Sequence, residues 1–171
     1  MKVINLSSLI RIKGVEYFML SYDFLRNKKS IFYQIYGDGS LRKELEPLQN
    51  TSIRLRRFTS NPEEIIIKSD VIVISSIIQE ASPLVAVEAF KHGKPVIATN
   101  IGGQAEIVVD HEVGLHCFPK NPQSLAEKID LLYENKALYD RLSSNALEHS
   151  KKFKYEIFNE KILQVFDSVS V

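Results

Sequence analysis

The chain has no tryptophan and a single cysteine, Cys117. One thiol cannot close an internal disulfide, and a fold without disulfides suits a reducing compartment, so a cytoplasmic location is expected. Charge of one sign is also lacking in excess: 22 Lys and Arg face 21 Asp and Glu, a formal net charge of +1. That balance argues against nucleic acid as a partner and gives no general attraction to anionic lipid. No apolar run approaches the roughly 20 residues of a spanning helix. The first residues lack the apolar stretch of a secretory signal. Peripheral contact with a membrane stays compatible with this composition. His92, His111, His116 and His149 show no ligand spacing with one another or with Cys117, so no metal site is expected. The Gly-rich fingerprints of dinucleotide binding and of phosphate loops are absent too.

What is present is an alternation of strand and helix signals. Residues 2–6 read as a strand, and 14–27 as a helix with apolar Val15, Phe18, Met19, Tyr22 and Leu25 at helical spacing. A second strand at 31–36 is broken by Gly37-Asp38-Gly39, and 40–49 reads as a helix, imperfect at Pro47. Residues 52–58 alternate Ile53 and Leu55 with charge, a strand with one wet face. Asn61 suits a helix cap and Pro62 the first helical position. Val71 to Ile74 and 94–99 have the composition of strands covered on both faces. Ser82-Pro83 opens a helix running to Gly93. A last strand at 113–118, holding Cys117 as a buried structural thiol, precedes helical segments at 122–133, 136–149 and 155–168. The expected fold is α/β: a Rossmann-like parallel sheet of about six strands with helices on both faces. The chain reads as one domain, 1–171, with 136–171 as a helical tail.

In an open parallel sheet, ligands bind at the carboxyl ends of the strands. The stretch from Glu80 to Glu88 is the most informative there. With Ser82 as cap and Pro83 first in the helix, the amides of Leu84 and Val85 are free to meet an anion such as diphosphate. Glu88 is the one charge between Ser82 and Lys91, on a helix apolar nearly all round. Such a carboxylate is costly unless hydrogen-bonded or facing a polar cavity. Glu80 lies before the helix, across the anion position. Carboxylates do not bind phosphate, but they accept hydrogen bonds from hydroxyl groups on either side of it. A nucleoside diphosphate sugar has that order: ribose hydroxyls, diphosphate, sugar hydroxyls. The competing reading makes Glu80 a solvated loop acid and Glu88 one half of a salt bridge; spacing alone does not choose.

At these residues the sequence resembles glycosyltransferase family 4, retaining enzymes of GT-B architecture, in their C-terminal donor-binding domain. Glu80 and Glu88 with Ala89-Phe90 are followed in register by residues 93–99, by Asn100-Ile101-Gly102-Gly103 and by Glu106. Lys13-Gly14 after the first strand and Tyr36-Gly37-Asp38-Gly39 after the second also fit. The resemblance runs from about Asn5 to the C-terminal helices, and it implies one half of a GT-B fold. It implies a hexosyltransferase whose donor is a UDP- or GDP-linked sugar, with no cofactor and no metal. Lys13 would bind the diphosphate and help the nucleotide leave. Glu80 would hold sugar hydroxyls near the reacting carbon, and Glu88 the ribose. The segment Ser82, Pro83, Leu84, Val85 would meet diphosphate and sugar, Pro83 giving no donor. Phe58 and Thr59 would lie against the base, and Gly37 would let the nucleotide approach closely.

Two departures stand out. Where the family carries an arginine, five residues before Lys13, this chain has Ser8; Arg11 is near, at a different offset. The family's N-terminal acceptor domain has no counterpart here, so it is expected in cis in a longer protein or as a partner, and the chain alone is expected to be inactive. Phe158, Ile162 and Phe166 on the last helices would pack partly toward that domain, and a homodimer would also cover them. Two rival readings remain, half of a nucleotide-sugar epimerase and a non-catalytic nucleotide- or sugar-binding scaffold module.

Overall fold

Six strands pair in parallel in the order β3-β2-β1-β4-β5-β6. The strands are β1 (Lys2–Leu6), β2 (Phe32–Tyr36), β3 (Ile53–Arg56), β4 (Val71–Ile74), β5 (Val96–Thr99) and β6 (Gly114–Cys117). Between them run α1 (Val15–Ser21), α2 (Arg42–Leu45), α3 (Pro62–Ile67), α4 (Leu84–Lys91) and α5 (Gly102–Ile107); α6 (Pro122–Glu134) and α7 (Lys136–Ser150) follow. The computed structural model describes residues 1–154, 157, 159 and 162–166.

Strand period dictates the two faces of the core. Val3, Tyr33, Ile35, Val71, Val73, Ile97 and Leu115 meet Phe18, Met19, Leu125 and Ile129 of α1 and α6. The alternate residues Ile4, Ile72, Ile74, Val96 and Ala98 meet Ile66, Ala86, Phe90 and Ala146 of α3, α4 and α7. Phe18 and Tyr33 stack with ring centroids 4.3 Å apart. At the edge, β3 buries Ile53 and Leu55 and exposes Arg54 and Arg56, the wet face its alternation predicts. Asn61 caps α3 as expected, its side chain accepting from Glu64 N at 3.3 Å.

Two helices are shorter than their apolar spacing predicts. α1 gives way at Ser21, whose hydroxyl donates to Phe18 O at 2.7 Å, and a 3-10 turn (Tyr22–Phe24) and extended Leu25 follow. Such back-bonding competes with helix continuation. Arg26 N then donates to the buried Asp130 at 2.9 Å, tying this turn to α6. After Leu45 the chain tightens to a 3-10 turn (Glu46–Leu48), because Pro47 has no N–H for an α-helical bond.

α7 is fastened to the body: Ser143 Oγ donates to Gly93 O at 2.6 Å and Tyr139 OH to Asp70 O at 3.0 Å. Both ends of the helix expected at 155–168, and Phe158, lie outside the described residues; Ile162 and Phe166 are exposed. Among the described residues no helix is long and apolar enough to cross a membrane.

Cys117 is buried, and burial pushes its thiol up to about 12. Its thiolate is the reactive form. A thiol reagent at pH 8 should therefore find almost no free thiol in the native chain and one equivalent in denaturant. Rapid native labelling would contradict the burial. The same shift makes the chain lose stability as pH rises above about 9, where the unfolded thiol ionises and the folded one does not.

Candidate functional site

The strand order reverses between β1 and β4, so the loops that follow them diverge and leave a crevice at the carboxyl ends of the strands. The loop after β1 ends in a 3-10 turn (Arg11–Lys13), closed by Gly14 at φ 59°. The loop after β4 is sewn to it: Ser75 Oγ donates to Lys13 O at 2.9 Å and Ile77 N to Ile12 O at 2.9 Å. Lys13 Nζ reaches across and donates to Glu80 Oε2 at 2.7 Å, with the two side chains 26% and 20% exposed. Ser76 Oγ donates to the other carboxylate oxygen. Glu80 is therefore a fixed, ion-paired acid rather than a solvated one.

Beside this pair lies a cavity of about 270 Å³, lined by Asn5, Leu6, Ser7, Lys13, residues 73–76, Glu80, Ser82, Pro83, Leu84 and Val85. The start of α4 forms one wall, and here the structure corrects the sequence reading. The N-cap is Pro83, at φ −77° and ψ 90°, with no side-chain cap bond, and Ser82 stands exposed ahead of it. Pro83 is extended, so the helix begins one residue later than a proline at the first helical position would give. Ala86 N donates to Pro83 O at 2.9 Å. The N–H groups of Leu84 and Val85 have no intrahelical acceptor at such a start, and no serine hydroxyl covers them.

A second cavity, of about 420 Å³, shares the Leu6, Ser7 and Val85 wall and continues to Ser8, Tyr36, Gly37, Asp38, Phe58, Thr59, Ser60, Pro62 and Glu88. Glu88, half-buried, faces this space, as a lone charge on an apolar helix must. Phe58 is 73% exposed at the rim. A Cβ at Gly37 would lie 1.9 Å from Ser7 O, so the close approach there is by the β1 loop itself. Asp38 holds the far rim: it accepts from Phe58 N at 3.2 Å and Arg42 Nε at 2.6 Å. The Phe58 N–H first, then Arg42, keep its carboxyl below the usual carboxylate range. Arg11 does not take up the role of the residue replaced by Ser8; it is exposed and lies 3.7 Å from Glu44. Among the described residues, Lys13 is the one Lys or Arg that lines either cavity. All eleven residues singled out from the sequence thus border one of two adjoining spaces.

The sequence pattern of the family "Glycosyl transferases group 1" matches residues 1–149. The chain belongs to that family. An uncharacterized glycosyltransferase of Methanocaldococcus jannaschii is 34% identical over 144 residues, covering 81% of this chain and 41% of the relative. The N,N'-diacetylbacillosaminyl-diphospho-undecaprenol alpha-1,3-N-acetylgalactosaminyltransferase of Campylobacter jejuni is 28% identical over 159 residues, 92% of this chain and 42% of its own length. Among solved structures, Anabaena HepE in complex with UDP superposes with a TM-score of 0.88 at 23% identity, over 98% of this chain and 49% of that one. The fold is accordingly the Rossmann-like half of a GT-B architecture, and the chain spans less than half the length of these curated relatives.

Several polar residues of this site escaped the reading of the sequence. Asn5 is buried, and its Nδ2 donates to Val73 O at 3.1 Å and Ser75 Oγ at 3.3 Å while Oδ1 accepts from Ser7 Oγ at 2.7 Å. Its signal was present: an amide between Ile4 and Leu6, in a strand otherwise apolar, needs partners. Gln104 and Thr99, both buried, hold the Glu80 loop from behind. Nothing in their spacing to Glu80 announces that contact.

Proposed function

We propose that this chain is the donor-binding half of a retaining hexosyltransferase that takes a sugar from UDP or GDP and passes it to an acceptor held elsewhere. One observation carries the reading: two adjoining cavities, with the Lys13–Glu80 pair at one end, Glu88 at the other and the open start of α4 between them. A nucleoside diphosphate sugar laid along them meets matching chemistry throughout. Its base lies against Phe58 and Thr59 at the rim beside Gly37 and Ser8. Its ribose hydroxyls donate to Glu88, and its diphosphate meets Lys13 and the N–H groups of Leu84 and Val85, beside Ser82 and Pro83. Glu80 accepts from sugar hydroxyls. As the bond from sugar to diphosphate breaks, Lys13 and the helix dipole stabilise the charge that develops on the leaving oxygen. The acceptor then attacks from the same face of the sugar. Positive charge from these groups takes the part that a divalent cation plays in other sites. The acceptor site belongs to an N-terminal domain supplied in cis or by a partner.

Titration calorimetry with UDP, GDP and their hexose derivatives tests this. Binding of one nucleotide series is expected, and none at millimolar concentration refutes the reading. Glu88→Ala is expected to weaken the nucleotide roughly tenfold, about the worth of a hydrogen bond to a charged group, while leaving the melting temperature nearly unchanged. A large loss of stability at unchanged affinity would return Glu88 to a structural role.

That Lys13 is the one Lys or Arg among the described residues lining the two cavities also favours a second reading, a module that binds nucleotide sugar without transferring it. Donor binding without sugar transfer, after an N-terminal half is supplied, would select that reading.

A further inference from the structure

We propose that Gln104 is a positioning residue for Glu80, and that with Thr99 it sets how firmly this chain grips the sugar of its donor. The inference rests on the donor-site reading above. Gln104 is wholly buried on α5. A buried amide is stable only where its acceptor and both donors are paired. Here its Oε1 accepts from Glu80 N at 3.1 Å. Its Nε2 donates to Ile78 O at 3.3 Å and to Thr99 Oγ1 at 3.0 Å. Thr99 Oγ1 in turn donates to Ser76 O at 2.7 Å, and Gly103 N donates to Glu80 O at 2.8 Å. Exchanging the amide oxygen and nitrogen would set oxygen against oxygen at Ile78 and N–H against N–H at Glu80. The network therefore admits one orientation of the side chain.

The segment these bonds grip, 75–83, contains no helix or strand of its own. Its main chain is held at Ser76, Ile78 and Glu80 by the end of β5 and the start of α5, in place of a ladder. Gln104 and Thr99 border neither cavity, so they act through Glu80 and not by touching a ligand. The nucleoside end rests on α4 and the second cavity and the diphosphate on α4 and Lys13, which this network meets through the Glu80 carboxylate. Loosening it releases the carboxylate that meets the sugar and spares the rest of the donor. A carboxylate displaced by about 1 Å loses hydrogen-bond geometry, and a hydrogen bond to a charged group is worth roughly tenfold in affinity.

Calorimetry on the full chain, comparing UDP with UDP-glucose and GDP with GDP-mannose, reads this directly. Gln104→Met keeps the shape and removes the amide. It is expected to weaken the sugar nucleotide about tenfold and to leave the bare nucleotide within about twofold. Thr99→Val should do the same and Thr99→Ser, which keeps the hydroxyl, should restore the preference. Equal losses on bare and sugar nucleotide, or no loss on either, would overturn the proposal. Should Gln104→Met fail to fold, the Thr99 pair decides. Glu80→Gln separates the two layers of the argument. If it keeps the full preference for the sugar nucleotide, the donor-site reading fails and takes this inference with it. If it loses the preference while Gln104→Met and Thr99→Val keep it, only the positioning role fails.

Discussion

Gly14→Ala is expected to lower the unfolding free energy by about 4 kcal/mol, against about 1 kcal/mol for Gly93→Ala. Both glycines hold the left-handed conformation, at φ 59° and 60°, so the strain from positive φ is common to the two. The difference is what a methyl group would meet. At Gly93 the nearest atom is Ser143 O at 3.3 Å, which a small shift of α7 relieves. At Gly14 it is Ser75 O at 2.2 Å, with Ile77 Cγ2 at 2.8 Å behind it. Ser75 cannot retreat freely, because its hydroxyl is bonded to Lys13 O and the next turn is tied through Ile77 N. Backbone therefore presses on backbone where the β1 and β4 loops are joined. Urea unfolding of the two variants side by side measures this, and equal losses would contradict it. The damage should reach the site as well, since Lys13 is the neighbour of Gly14.

Lys13→Met is expected to reduce nucleotide diphosphate affinity roughly thirtyfold, about 2 kcal/mol, with only about 1 kcal/mol lost from stability. Among the described residues no other Lys or Arg lines the cavities, so no second cation there compensates. The pairing with Glu80 keeps the expected loss moderate. Lys13 is engaged with Glu80 at 2.7 Å, and binding exchanges a carboxylate partner for a phosphate one. The stability cost is small because Glu80 is partly solvated and retains Ser76 as a donor. Calorimetry with UDP and GDP gives the first quantity and thermal unfolding the second. An affinity within threefold of the parent chain would remove Lys13 from the diphosphate site.

The strands were legible because each is built from side chains that suit one environment: Val71 to Ile74 could only lie between two helical layers, and β3 alternates as an edge strand should. Helix ends were less legible. The apolar spacing through Leu25 continues past the point where the Ser21 hydroxyl turns back on Phe18, and the draw of Asp130, about a hundred residues away in sequence, leaves no local trace. Ser82-Pro83 has the composition of a cap followed by a first helical residue, yet ψ 90° at Pro83 delays the helix by one residue. The acids of the site stood out because each is anomalous where it sits, Glu88 on an apolar helix and Glu80 before it. Gln104 was hidden for the opposite reason. A glutamine after two glycines looks like an ordinary loop residue, and only the fold brings it to the main chain of Glu80.

The closed pair of Lys13 and Glu80 has a consequence for selection among ligands. Under the proposed function, an inorganic phosphate that captures Lys13 strands the carboxylate, and a free sugar that satisfies Glu80 strands the ammonium. Each half-match breaks a 2.7 Å contact and replaces one side of it. A molecule presenting phosphate and sugar hydroxyl groups together repairs both sides at once, so the pair favours the joined donor over inorganic phosphate or free sugar taken singly.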